Sequence, residues 1–292
     1  MTTETPKPAR VNPLTKYFRQ PAIYITLPSG GKYWAEGALE MPETGEFPVY
    51  PMTNKDEITL RTPDALMNGQ GVIDVIHSCF PHIKDAWKMP SVDVDATLIA
   101  MRIASYGHHM DFDSTCPHCQ ADHTYTTDLR QMMAGIRCPD YDQLQELGPI
   151  TIKFQPQKYY DISHTNRTSF EIQKMQQAIS TLPDELGFGS DEKMSAVSGQ
   201  MKKVSELNQR LMASGTASIT LTDTGDVITD KDFIFEFYSN ISAEMFKEVQ
   251  KAMETLQEPA NLKPMPVPCQ TCNETFNLNI VFDYATFFAT GS

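Results

Sequence analysis

The strongest constraint on this chain is a phrase written twice. CPHCQADHTYTTDL occupies residues 116–129, and CQTCNETFNLNIVF occupies residues 269–282. Each is C-x-x-C followed by alternating polar and apolar residues. A C-x-x-C turn sets two thiolates on one side of the backbone, which is half of a tetrahedral metal site. Two such turns supply four ligands: Cys116, Cys119, Cys269 and Cys272. What limits the pairing is the space between the turns, not the number of residues between them. The intervening chain is therefore expected to fold as an insertion whose ends emerge together. An aromatic follows each turn, Tyr125 in one and Phe276 in the other, so the phrases read as two knuckle–strand halves of one zinc ribbon. One zinc ion is expected. Four thiolates close its coordination sphere and leave no place for water or substrate, so the metal is expected to be a structural staple, its binding coupled to folding.

Other chemistries for these cysteines stay open at this level. C-P-H-C is also an active-site tetrapeptide of oxidising thioredoxin-fold proteins. That chemistry wants the first cysteine at a helix N-terminus, whereas QADHTYTTDL follows no 3.6-residue period. A disulfide within each pair would suit an oxidising compartment. A metal-free remnant, or a metal site using His118, His123 or Cys138 in place of one cysteine, completes the set. Cys79, between apolar residues, reads as a small core residue, and Cys138 as structural or incidental.

Charge removes several functions. The formal net charge is −13 over 292 residues, which opposes phosphate-rich partners such as nucleic acid and anionic membranes. Lys202-Lys203 is the one adjacent basic pair, and Asp111, Asp113 and Asp122 give the first knuckle the wrong sign for a ribbon that grips nucleic acid. No apolar run reaches the ~18 residues of a membrane helix. MTTETPKPAR reads as neither signal nor transit peptide. The expectation is a soluble protein of a reducing compartment. No nucleophile elbow, phosphate loop, zincin or dinucleotide motif is present, so no enzyme is expected. LPSGGKYW lacks the spacing and following helix of a phosphate loop. His108-His109 reads as turn structure, Asp93 and Asp95 as helix N-terminal charges, and TDTGD as too short for a calcium loop.

The rest of the pattern predicts an α+β fold of mixed helices and short strands, with the zinc-ribbon-like module and a helical-hairpin insertion. Residues 1–15 read as a disordered tail. Residues 16–107 read as an N-terminal hairpin plus helices. Residues 108–164 and 214–292 read as an interrupted ribbon-like body, and 165–213 as the inserted hairpin. Ile23, Ile25 and Leu27 alternate, Ser29-Gly30-Gly31 breaks the run, and Tyr33-Trp34 resumes it, which predicts a local β-hairpin. Thr62-Pro63-Asp64 opens a helix that Phe80-Pro81 ends. Another runs from Ser91 or Asp93 to Gly107. Ile150, Ile152 and Phe154 mark a strand, as does SITLT at 218–222. Thr168 to Glu171 matches a capping box that starts a helix reaching Leu182. Ser190 starts the next, with Gly215 past its end. Phe233, Ile234, Phe237 and Ile241 share a face of a helix from 230. Ser242 caps a last helix carrying Phe246, Val249, Met253 and Leu256. Met194, Val197, Met201, Val204, Asn208 and Leu211 form a heptad-like seam and are the candidate partner-binding residues. The seam either packs within its own hairpin or joins a second chain in a coiled coil whose register Asn208 helps fix.

Three segments carry a family resemblance. KYFRQPAIYITLPSGGKYW (16–34), then PVYPMTNKDEITLRTPDALMNGQGVIDVIHSCFPHIKDAWKMPSVDVDATLIAMRIASYG (48–107), then CPHC, resemble baseplate proteins of T-even-type, contractile-tail phages, those of the hub and its assembly. The likeness covers the first 130 residues or so best and extends to the second C-x-x-C and the aromatic end. It is weakest over 165–213. The resemblance implies a structural or assembly role, as hub component or hub-assembly factor, with other baseplate proteins as partners. It implies residence in the host cytoplasm during assembly, and in the tail baseplate of the virion if the protein is a permanent component. No catalytic residues come with it. The competing classes are a zinc-ribbon nucleic-acid binder and a thiol-redox protein.

Overall fold

The computed structural model describes residues 12–62, 69–180, 190–278 and 287; within its two longest helices the side chains of 173, 175–180 and 190–197 fall outside the description. Its first body is organised around α3, Ser91–Tyr106. Almost every side chain from Val92 to Ile103 is buried, Asp93, Thr97 and Arg102 included. A helix apolar on all sides must be central. Gly107, at φ 88°, ends it, with its N–H returning to Ile103 O. Around α3 pack α1 (Asn54–Arg61), α2 (Gln70–Cys79), α4 (Leu129–Gly135) and a two-stranded sheet of β1 (Ile23–Ile25) and β2 (Phe47–Val49). Helix α1 starts with a full capping box between Thr53 and Asp56. The predicted opening of α2 at Thr62-Pro63-Asp64 lies partly outside the described residues; the helix itself begins at Gln70.

The local hairpin predicted at 22–34 is not what forms. Strand β1 pairs antiparallel with residues 47–49, and Ser29 to Tyr33 lie in turns. The cause is Asp93, which is fully buried. Its carboxylate accepts from Ser29 N–H at 2.8 Å, Ser29 Oγ at 2.5 Å and Trp34 Nε1 at 2.7 Å. One backbone N–H and two side-chain donors are drawn to one buried carboxylate, which needs such partners, and they hold the 29–34 segment in turns against α3. Gly31 sits at φ 82°, with Met41 Sδ 2.5 Å from where a Cβ would stand.

The second body is a four-stranded antiparallel sheet in the order β5 (Leu144–Leu147), β6 (Ile150–Phe154), β7 (Thr216–Leu221), β8 (Val227–Ile228). Ile150, Ile152 and Phe154 alternate inward as the sequence predicts. They meet α7 (Lys231–Asn240) and α8 (Ala243–Gln257), which contribute Ile234, Tyr238, Val249, Met253 and Leu256. Phe233, expected on the buried face of α7, is 63% exposed. Ile234 and Tyr238, four residues apart, take the inner positions instead.

Between the paired strands β6 and β7 stand α5 (Tyr159–Ser180) and α6 (Ser190–Ser214), which pack against each other. Their base is pinned: Gln155 N–H donates to Gly215 O at 2.9 Å, and the Gln155 side chain to Ser214 O at 2.7 Å. Helix α5 begins at Tyr159, well before the expected Thr168. Thr168 Oγ donates back to His164 O at 2.9 Å, so it is an interior threonine bonding its own preceding turn, not a cap. Of the segment expected as a tail, residues 1–11 lie outside the described residues, and Asn12 caps a 3-10 turn at Pro13–Tyr17. No helix among the described residues is long and apolar enough to cross a membrane.

Candidate metal centre

Each cysteine pair sits at the tip of a β-hairpin. One hairpin is β3 (His109–Thr115) with β4 (Asp122–Asp128); the other is β9 (Met265–Pro268) with β10 (Thr275–Leu278). The sequence marked the strands after the knuckles; those before them complete the hairpins. The two tips share one backbone design. Cys116 N–H bonds Ala121 O and Gln120 N–H returns to Cys116 O, both at 2.9 Å. In the other tip, Cys269 N–H bonds Glu274 O at 2.9 Å and Asn273 N–H returns to Cys269 O at 3.0 Å. The residue after each second cysteine turns left-handed, Gln120 at φ 61° and Asn273 at φ 59°. The echo in sequence is thus an echo in geometry.

The tips meet. Sγ atoms of Cys116, Cys119, Cys269 and Cys272 all lie within 4.8 Å of one another. Two distances cross between the hairpins: Cys116 to Cys272 is 3.8 Å, and Cys119 to Cys269 is 3.6 Å. Sulfurs about 2.3 Å from a central zinc, at the corners of a tetrahedron, stand about 3.8 Å apart. The donor set therefore fits a zinc ion in number, element and spacing. All six cysteines are free thiols, so neither pair closes on itself as a disulfide. His118, His123 and Cys138 are not among the clustered ligand atoms. Cys79 is buried in the first core, and Cys138 packs against the second.

The surroundings favour thiolates unevenly. N–H groups of Cys272 and Thr271 aim at Cys269 and bring its thiol down to about 6 against the cost of burial. At Cys272 the Glu274 N–H pulls the same way, but burial and the three neighbouring thiols outweigh it and push the group up to about 12. Four sulfurs this close cannot all be anions without a cation between them. Cys116 follows a strand and precedes a tight turn, so it lacks the helix N-terminus that oxidoreductase chemistry needs.

A small core supports the tips. Tyr125 and Phe276, the two echoing aromatics, meet edge to face with ring centres 5.9 Å apart. Val267 and Leu278 complete it beside Cys116 and Cys269. His123 Nε2 and Thr271 Oγ, 3.1 Å apart, bridge the hairpins at the surface.

The candidate partner seam divides. Met194 and Val197 lie on α6, but their side chains fall outside the description. Val204 and Leu211 are half-buried, whereas Met201 is 63% exposed and Asn208 is exposed. Gln200, which the sequence reading passed over, is buried instead. The inner face of α6 runs Gln200, Val204, Leu207, Leu211. Met201 and Asn208 point away from it.

No curated protein and no solved structure matches this chain. A family model described as T4 bacteriophage base plate protein matches residues 21–289. That match spans both bodies and both knuckles. The chain belongs to the T4 bacteriophage base plate protein family.

Proposed function

We propose that this baseplate protein is a component of the tail hub or a factor in its assembly, acting by binding other baseplate proteins and not by catalysis. One structural zinc ion would be held by Cys116, Cys119, Cys269 and Cys272. When bound, it would supply a cross-link between chain segments some 150 residues apart. The observation that carries the zinc reading is the four-sulfur cluster at the meeting of two hairpin tips. Support for the hub comes from the likeness of segments 16–34 and 48–107 to hub proteins. The α5–α6 hairpin is the proposed contact with partners, through the outward Met201 and Asn208 of the candidate seam and not through Val204 and Leu211, which face inward. Support for it is the outward position of Met201 and Asn208 on a helix whose other face packs inward. The protein would act in the host cytoplasm during assembly and reside in the tail baseplate if it is a permanent part.

Elemental analysis of protein purified without added zinc tests the staple. One zinc per chain, lost in Cys269→Ser, is the expected result; no metal in the wild type removes it. Deleting 165–213, or the variant Met201→Asp/Asn208→Asp on the outward face, is expected to stop tail assembly while leaving the zinc content intact. Normal tails from either variant would eliminate the helical hairpin as the contact.

A further inference from the structure

Among the described residues, three exposed large apolar side chains fall within five consecutive positions at one place. Pro13–Tyr17 forms a single 3-10 turn with no buried residue. Leu14, Tyr17 and Phe18 are 59%, 74% and 57% exposed. A turn with nothing to bury should fray, yet this one is built. Asn12 Oδ1 accepts from Leu14 N–H at 2.9 Å, and Phe18 N–H reaches Thr15 O at 3.1 Å. Pro13 fixes the first φ. The next anchor, Arg19, is fastened to the first body: its guanidinium donates to Pro51 O at 2.6 Å and to Ser78 O and Oγ at 2.7 Å, and pairs with Asp56 at 3.4 Å. Three apolar side chains at i, i+3 and i+4 are thus presented on a short, pre-shaped stem. In a 3-10 turn residues i and i+3 share one face, so Leu14 and Tyr17 stand together, and Phe18 follows in extended backbone at the cap; pre-shaping lowers the cost of docking.

Charge indicates what the stem meets. Residues 1–18 carry Lys7, Arg10 and Lys16 against Glu4, a local +2 in a chain of −13, so the remainder carries −15; the charge of Arg19 is matched by Asp56. The body of a second copy therefore attracts the stem. That body offers a groove of matching character beside α8, about 550 Å³ in volume. Ala252, Leu256 and Pro259 give it an apolar floor, and Asp140 and Glu248 outnumber Lys251 at its rim. We propose that the stem of one copy docks in this groove of the next. Stem and groove are different patches, so the contact is heterologous and successive copies close into a ring or continue as a filament. The contact involves neither the cysteine cluster nor the α5–α6 hairpin, so its failure and theirs are separable.

Sedimentation velocity of the full chain, from micromolar to hundreds of micromolar, tests this. The mass is expected to rise with concentration, less so in high salt. Leu14→Ser/Tyr17→Ser/Phe18→Ser is expected to weaken association at least about tenfold, and Glu248→Lys/Thr255→Lys to do the same. All five residues are exposed, so the melting temperature should hold. Mixed together, the stem variant keeps a groove and the groove variant keeps a stem, so they should form a one-to-one pair that neither forms alone. A wild type that stays monomeric throughout, association indifferent to the stem variant, or a mixture that gives no pair would each overturn the proposal.

Discussion

Among the described residues, the first body buries 26 apolar side chains around α3, whereas the knuckle module buries six, two of them cysteines. The larger body can afford polar luxuries in its interior: Asp93 with three donors, and Arg102 with its guanidinium on Phe287 O at 2.8 Å. The module has no such reserve. A handful of side chains cannot offset the entropy of ordering four strands drawn from distant parts of the chain. A link between the hairpins would supply what so small a core lacks, and the sulfur cluster is where a metal could form it. The difference teaches that the knuckles are not ornaments on a finished fold. A metal held there, as proposed, would keep the two ends of the intervening chain together.

The largest expected effect separates the two regions outright. In Cys269→Ser, or after strong chelation, amides of β3, β4, β9 and β10 should lose hydrogen-exchange protection by orders of magnitude while α3 keeps its own. Equal loss in both regions would mean they form one cooperative unit. Ile99→Ala addresses the other side. Ile99 is fully buried, and its truncation should cost about 2–5 kcal/mol by denaturant titration with the metal content unchanged. Metal lost in that variant would show that the module leans on the body. Asp93→Ala strands the Ser29 and Trp34 donors and should cost about 1–3 kcal/mol, with a changed tryptophan emission. An unchanged midpoint would show that water replaces the carboxylate.

The smallest effect has the opposite sign. Asp95 has no hydrogen-bond partner among the described residues, and burial raises its carboxyl above the ordinary value. A raised folded pKa means stability that is fully present below the unfolded pKa and lost as pH rises through the folded one. At neutral pH the charge is therefore a cost. Asp95→Asn should stabilise the protein by about 1 kcal/mol or less at pH 7, and the gain should vanish below about pH 4. Comparing melting temperatures at the two pH values checks this; an equal gain at both would assign the effect to packing.

Much of the site and part of the fold could be read without coordinates. The cysteine quartet was legible because thiol type and C-x-x-C spacing are local properties. Gly107 and Gly215 marked the ends of α3 and α6 for the same reason, and Asp230 and Ser242 marked the starts of α7 and α8. What failed depended on distant residues. Strand β1 took a partner beyond residue 45 because Asp93 claimed the nearer turn. Thr168 carries the letters of a cap, but residues 159–167 already continued the helix on its N-terminal side. On α6 both Gln200 and Met201 fit a helical stripe, and periodicity prefers the apolar one. Packing against α5 placed the amide inside.

By itself, the sequence determined which atoms can be ligands, where most helices stop, and that no catalytic motif is written. These follow from side-chain chemistry and from backbone preferences that act over a few residues. Only the tertiary structure decided that the four sulfurs converge, that a sheet and a helical hairpin are nested between them, and which side of α6 faces outward. Pairing and phase depend on contacts between residues far apart in the chain, and no local pattern encodes the distance that folding closes.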